Sequence, residues 1–239
     1  MNYSIFLINL DRSVERLNNA AGQLDSAGVD FERISAVDGK TLENELINKV
    51  FDDKMAQKRY HYDLTLGEMG CYLSHVKCWE KIIEDGLDFA VILEDDLLLE
   101  PNFKDVIESV PNIETEWHYL KLSCPFKHRP YTEAKLVKTP KGDNVSLVDY
   151  KKPPTGTVAQ IVSREGAKRL LKNRPPFFRP VDVDLQWSWE LNIKVQGLIP
   201  YVANVSGELS EIQKISARRT VKKRPFNKIK ETVRFKFKG

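Results

Sequence analysis

Apolar residues in this chain of 239 recur with two different periods. Short unbroken runs mark buried strands, and apolar positions spaced by three and four mark helices packed on them. Ser4 to Leu10 is the first such run. Val14, Leu17, Ala21 and Leu24 then share one helical face, capped by Asp11 or Ser13 and stopped at Gly28. Phe31 to Val37 reads as a second strand, closed by the turn pair Asp38-Gly39. Strand, helix and strand within about 35 residues make a βαβ unit, so the two strands are predicted to be parallel.

Thr41 to Tyr60 is predicted as one charged helix with a thin apolar face of Leu42, Leu46, Val50 and Met55. Leu73, Val76, Trp79 and Ile83 set a helical period that ends at Gly86 and feeds the strand Phe89-Ala90-Val91-Ile92-Leu93. Further on, the pattern predicts a helix over Phe103 to Val110 and a strand over Trp117 to Ser123. It then predicts a strand over Val158 to Ser163, a helix over Arg164 to Lys172, and a helix that starts at Pro180 and carries Trp187, Trp189 and Leu191. One or two strands between Ile193 and Val205 complete the set. Residues 125–154 are rich in Pro and Gly turns and are predicted to be irregular. The expected fold class is α/β, a mostly parallel central sheet flanked by helices.

The central apolar run ends in Glu94-Asp95-Asp96. Three carboxylates in a closed site repel one another and call for a cation. Ligands of open α/β sheets bind beyond the carboxyl ends of the strands. Hard oxygen donors suit Mn²⁺ or Mg²⁺, which commonly link a carboxylate to a diphosphate. A solvated acidic turn is the plainer alternative. The first loop, Asn9-Leu10-Asp11-Arg12 with Arg16 one turn on, joins a strand end to a helix N-terminus, which favours an anion. Those arginines can equally serve only to solvate the helix. Ser74 and His75 flank the buried stripe of their helix, where a histidine is either a ligand contact or a satisfied core residue. Asp182 and Asp184 form a second acidic cluster in a first helical turn, where the helix dipole alone would account for them. No phosphate-loop motif, dinucleotide fingerprint or nucleophile elbow is present.

At 41% apolar and 30% charged the chain is globular, and no apolar run reaches membrane-spanning length. The N-terminal apolar run has no basic residues ahead of it and stops at Asn9 and Asp11, which argues against a secretory signal. Cys71, Cys78 and Cys124 show neither a pairing nor a zinc pattern, so the cytoplasm is the economical compartment. The net charge of +3 hides an asymmetry. Residues 214–239 hold eleven Lys or Arg against one acid, leaving the rest of the chain at −7. The basic tail interleaves Phe226, Ile229, Val233, Phe235 and Phe237, which fits either an anionic membrane surface as a partner or a disordered solubilising tail. The acidic body and the lack of a recognised motif argue against nucleic acid.

Taken together, the motifs resemble glycosyltransferase family 25, the bacterial lipopolysaccharide and lipooligosaccharide glycosyltransferases. They are Ile8-Asn9-Leu10-Asp11-Arg12 with Arg16, Ala36-Val37-Asp38-Gly39, Gly67-Glu68 through Leu73-Ser74-His75 to Trp79, Ile92-Leu93-Glu94-Asp95-Asp96, Gly156 to Ala167, and Pro180-Val181-Asp182. The resemblance covers roughly residues 4–205 in the family's order. It implies a GT-A-like nucleotide-sugar-binding fold over residues 1–213, with the donor side over about 1–124 and the acceptor side over about 125–213. The basic tail lies beyond. It further implies an inverting hexosyltransferase that moves galactose from UDP-galactose to a lipopolysaccharide or lipooligosaccharide sugar and forms a β-linkage. The nucleotide-sugar site would comprise Asn9, Leu10, Arg12, Arg16, Asp38, Gly39, Ser74, His75, Glu94 and Asp95. Mn²⁺ or Mg²⁺ would sit on Asp96 and Asp95, although Glu94 departs from a strict Asp-x-Asp. Asp182, which matches the family motif, is the expected catalytic base, with Asp184 second. The expected location is cytoplasmic, on the inner face of the bacterial inner membrane. A metal-dependent nucleotide-sugar hydrolase and a non-catalytic nucleotide-binding module are the competing classes.

Overall fold

The computed structural model describes residues 1–207 and 221–238. Among these, eight strands form one sheet in the order β2-β1-β3-β8-β5-β9-β7-β6. The strands are β1 Tyr3–Asn9, β2 Glu32–Ser35, β3 Phe89–Glu94, β5 Tyr119–Lys121, β6 Tyr131–Lys138, β7 Asn144–Tyr150, β8 Ala159–Ser163 and β9 Val195–Ile199. Two short strands, β4 Leu97–Leu99 and β10 Ala203–Val205, pair antiparallel beside it.

The expected α/β architecture is present, with a sheet that is mixed. β1 pairs parallel with β2 and with β3, and β5 with β9. β8 lies antiparallel between β3 and β5, and β7 lies antiparallel to β9 and to β6. An apolar run buried on both faces reads alike in either direction, so the direction of β8 is not written in its composition. Its reversal has a consequence for the site. It brings the residues that precede β8, Gly156 and Thr157, to the edge where β3 ends.

Alternate residues of β1 and β3 feed two cores. Phe6, Ile8, Ala90 and Ile92 join the core under α4 (Leu66–Glu84), α6 (Arg164–Asn173) and α7 (Val181–Gln186). Ile5, Leu7, Val91 and Leu93 join the opposite core under α1 (Val14–Ser26) and α5 (Phe103–Ser109). With both faces covered, Phe89 to Leu93 are fully buried, which accounts for the unbroken apolar run. The helix after β1 and the helix before β3 thus cover opposite faces. Between them opens a crevice at the carboxyl edge of β1 and β3, the usual ligand position of such sheets.

The long helix expected over Thr41 to Tyr60 is broken into α2 (Asn44–Val50) and α3 (Asp53–Arg59). Asp52 caps the second piece by accepting Met55 N at 2.9 Å, while the backbone at Phe51 bridges to Phe177. The turn-rich stretch 125–154, expected to be irregular, contains the hairpin β6–β7. The helix expected after Pro180 is also divided, into α7 and α8 (Ser188–Leu191).

The expected boundary near residue 213 lies outside the described residues. Beyond it, the basic segment includes α9 (Pro225–Lys238), which packs on the body. Asn227 Nδ2 donates to the carbonyls of Gln57 at 2.8 Å and Tyr60 at 3.0 Å. Glu231 Oε2 lies 2.7 Å from His61 Nδ1. The Phe235 ring sits 5.7 Å from Trp187 and 5.0 Å from Trp189. Arg224 pairs with Asp63. The two tryptophans therefore pack with each other and with α9, the packing role rather than the sugar-stacking one.

Candidate active site

Every residue expected on the donor and metal side lines one cleft of about 630 Å³: Asn9, Leu10, Arg12, Arg16, Asp38, Gly39, Ser74, His75, Glu94, Asp95 and Asp96. They come from four separate stretches of chain and meet at the carboxyl edge of β1, β2 and β3.

The walls are held by close backbone contact. A Cβ on Gly39 would collide with the carbonyl of Leu66, and one on Gly70 would lie 2.5 Å from Val37 O and 2.8 Å from Gly39 N. Only glycine lets the Val37-Asp38-Gly39 loop rest on the first turns of α4. The start of α4 is itself fixed by a capping box. Glu68 N donates to Thr65 Oγ1 at 3.2 Å, and Thr65 N donates to Glu68 Oε2 at 2.8 Å. Ser74 completes the join. Its hydroxyl accepts Val37 N at 2.9 Å and donates to Gly70 O at 2.7 Å, so it braces the loop and is already engaged on both sides.

The acids are arranged unequally. Glu94 receives three donors on Oε1: Thr157 Oγ1 at 2.6 Å, His75 Nε2 at 3.0 Å and the Cys71 thiol at 3.8 Å. Burial opposes its ionisation, but the His75 and Thr157 contacts outweigh that and hold its carboxyl below the usual range. Burial pushes the Cys71 thiol well up, with Glu94 and Asp182 adding to it, so Cys71 stands as a neutral donor to Glu94. Asp95 accepts Asn9 Nδ2 at 2.6 Å and pairs with Arg16, so each of its oxygens already has a partner.

Asp96 is different. Burial, and next the charge of Glu94, raise it to about 7, against the pull of Arg16 at 3.5 Å. Its Oδ1 is buried and has no hydrogen-bond partner among the described residues, and the same holds for Arg16 Nε. An unsatisfied carboxylate oxygen among acids fits a hard divalent cation, and an unsatisfied guanidinium N–H beside it fits a phosphate oxygen. Asp96 thus keeps an unpartnered oxygen among the described residues, where Asp95 has a partner on each. Arg12 pairs with Asp38, whose other oxygen accepts Lys40 N at 3.0 Å.

The second acidic cluster separates into two roles. Asp184 is wholly buried. Its Oδ2 accepts Tyr72 OH at 2.9 Å and Arg174 Nε at 2.7 Å, its Oδ1 accepts Arg174 Nη2 at 3.2 Å, and Arg179 Nε lies 3.4 Å from Oδ1 as an ion-pair contact. With both oxygens committed and no solvent access, Asp184 cannot take a proton from a substrate hydroxyl. Its expected role as second base is corrected to that of a structural ion pair. Asp182 is only half-buried. Its Oδ2 accepts Gly156 N at 3.1 Å and its Oδ1 accepts Val183 N at 2.8 Å, contacts that orient the carboxylate without enclosing it.

Two contributors were not singled out from the sequence. Thr157 reaches Glu94 only because β8 runs antiparallel. Lys121, at the end of β5, is 1% exposed and donates to Gly156 O. Burial lowers it to about 8 despite the attraction of Asp182 and Glu94, so it is a buried cation between the two acidic clusters. A lysine in a three-residue strand carries no local sign of that position.

A glycosyltransferase 25 family member of Aedes aegypti is 30% identical over 177 residues, which is 72% of this chain and 28% of that protein. Human procollagen galactosyltransferase 2 is 27% identical over 187 residues, 75% of this chain and 29% of that protein. The chain thus spans under a third of the length of these curated relatives. A solved structure of a Drosophila beta-1,4-galactosyltransferase 7 variant with manganese, UDP-Gal and xylobiose aligns at a TM-score of 0.41 and 13% identity, covering 87% of this chain and 69% of that one. Residues 2–185, which contain both acidic clusters, match the family model for glycosyltransferase family 25 (LPS biosynthesis protein), and the chain belongs to that family.

Proposed function

We propose that the chain is an inverting hexosyltransferase that moves galactose from UDP-galactose to a sugar hydroxyl of lipopolysaccharide or lipooligosaccharide, forming a β-linkage. The carrying observation is the convergence of four chain stretches on one cleft that, among the described residues, leaves an acid oxygen and a guanidinium N–H unsatisfied. The galactosyl donor is supported by the relatives named procollagen galactosyltransferases, and the acceptor class by the family's description.

In this reading the Asp38-Gly39 loop receives the nucleoside, and Arg12 and Arg16 meet the diphosphate. Asp96 would hold Mn²⁺ or Mg²⁺, with Asp95 as its neighbour, and a bound cation there would supply Lewis-acid stabilisation of diphosphate negative charge. Arg16 adds a fixed positive charge on the same side. Glu94, kept ionised by His75 and Thr157, orients the donor sugar or ribose. Asp182, held by Gly156 N, accepts the proton of the attacking hydroxyl. A lipid-linked acceptor places the enzyme at the cytoplasmic face of the bacterial inner membrane.

The test is a screen of UDP-, GDP- and CMP-sugars with and without Mn²⁺ and with a lipooligosaccharide acceptor. UDP release from UDP-galactose should require the metal and rise several-fold with acceptor. Release that ignores acceptor would mark a hydrolase, and UDP binding without turnover would mark a binding module.

A further inference from the structure

We infer that α9 lies on an anionic lipid surface through an apolar stripe that the fold turns to solvent. The inference is independent of the reaction proposed above. Phe226, Ile229, Val233 and Phe237 recur at three, four and four residues, one stripe of a helix, and are 78%, 61%, 48% and 85% exposed. Asn227, Glu231 and Phe235 lie on the opposite side and are the residues that bind the body. The helix therefore has two apolar aspects, one spent on Trp187 and Trp189 and one left outward. Its docking fixes the outward one, so the exposure is not that of a loose segment.

The surroundings of the stripe select its occupant. Lys230 and Lys236 are exposed beside it on the helix, and Lys222 and Lys223 are exposed just before the helix begins. A second copy laid on the stripe would set these lysines against their own kind. An anionic headgroup layer meets them with opposite charge and admits the aromatic ends of the stripe below it. The stripe is about 16 Å long, which suits a helix lying in the interface. Among the described residues no helix is long and apolar enough to cross a membrane.

The full chain is to be sedimented with vesicles of phosphatidylcholine alone and with phosphatidylglycerol added, at low and raised salt. Binding is expected to need phosphatidylglycerol and to weaken as salt rises. Phe226→Ser with Phe237→Ser should lower the partition about 10-fold at low salt, with thermal unfolding unchanged because both side chains are exposed. Lys230→Glu with Lys236→Glu should remove the preference for anionic vesicles. Full binding by the double Phe variant, or equal binding of the wild type to both vesicles, would overturn the inference. So would a wild-type dimer in analytical ultracentrifugation that the double Phe variant converts to monomer, which would assign the stripe to a second copy.

Discussion

Asp96→Asn keeps the shape of the key carboxylate and removes its charge. In the folded chain Asp96 is raised from 3.8 to about 7, first by burial and next by Glu94. The native state therefore keeps a proton that the unfolded chain has released across that window. The contribution of Asp96 to the stability of the metal-free protein therefore falls as pH rises from about 4 to about 7 and stays lower above it. That interval corresponds to about 4 kcal/mol at most. The amide carries no such penalty at any pH. Losing the attraction of Arg16 and burying a new N–H₂ group offset part of the gain. The net expectation is about 1–3 kcal/mol of added stability at pH 8, or roughly 2–10 °C for a chain of this size. At pH 4 the gain should vanish.

The assay is thermal unfolding of both proteins in chelator at pH 4 and pH 8, repeated at pH 8 with UDP and Mn²⁺. Wild type should show a metal-dependent increment through mass action on the folded state, and the variant should not. The variant would then be the more stable protein without ligand and the less responsive one with it. A variant that is less stable than wild type in chelator at pH 8 would refute the burial argument. A surviving metal increment would refute the placement of the cation.

Asp182→Asn should keep UDP-galactose binding and lose transfer by about 100-fold or more, read by binding and single-turnover assays. Asp184→Asn should act on folding instead, costing about 3–5 kcal/mol in denaturant titration because Arg174 and Arg179 lose their buried partner. Gly70→Ala should cost about 1–3 kcal/mol and weaken UDP binding, since the added Cβ meets backbone of the Asp38-Gly39 loop on both sides. Phe235→Ala should release α9 from Trp187 and Trp189, detected as faster proteolysis after Lys222 or Lys223 with the rest of the domain intact.

The parts legible in the sequence are those whose environment is symmetric or local. β1 and β3 are covered on both faces, so their burial appears as unbroken apolar runs. The acids and arginines that follow such runs lie at the sheet's carboxyl edge, whereas Ser74 and His75, which sit on a helix, joined the expected set only through the family resemblance. The hairpin β6–β7 fails the same test. β6 occupies the sheet edge with Tyr131 and Leu136 facing solvent at 50% and 54% exposure, and the alternation of β7 is confined to Val145 and Leu147 among turn residues. The break at Asp52 depends on Phe177, more than a hundred residues away. The two aspartates make the limit sharpest. Asp182 and Asp184 share one helical turn and one dipole, and nothing local separates them. What separates them is which way each carboxylate points: to Gly156 at the open edge, or to Tyr72, 112 residues distant, and the two arginines. The chemical role of an acid in this fold is therefore decided by partners that only the folded chain supplies.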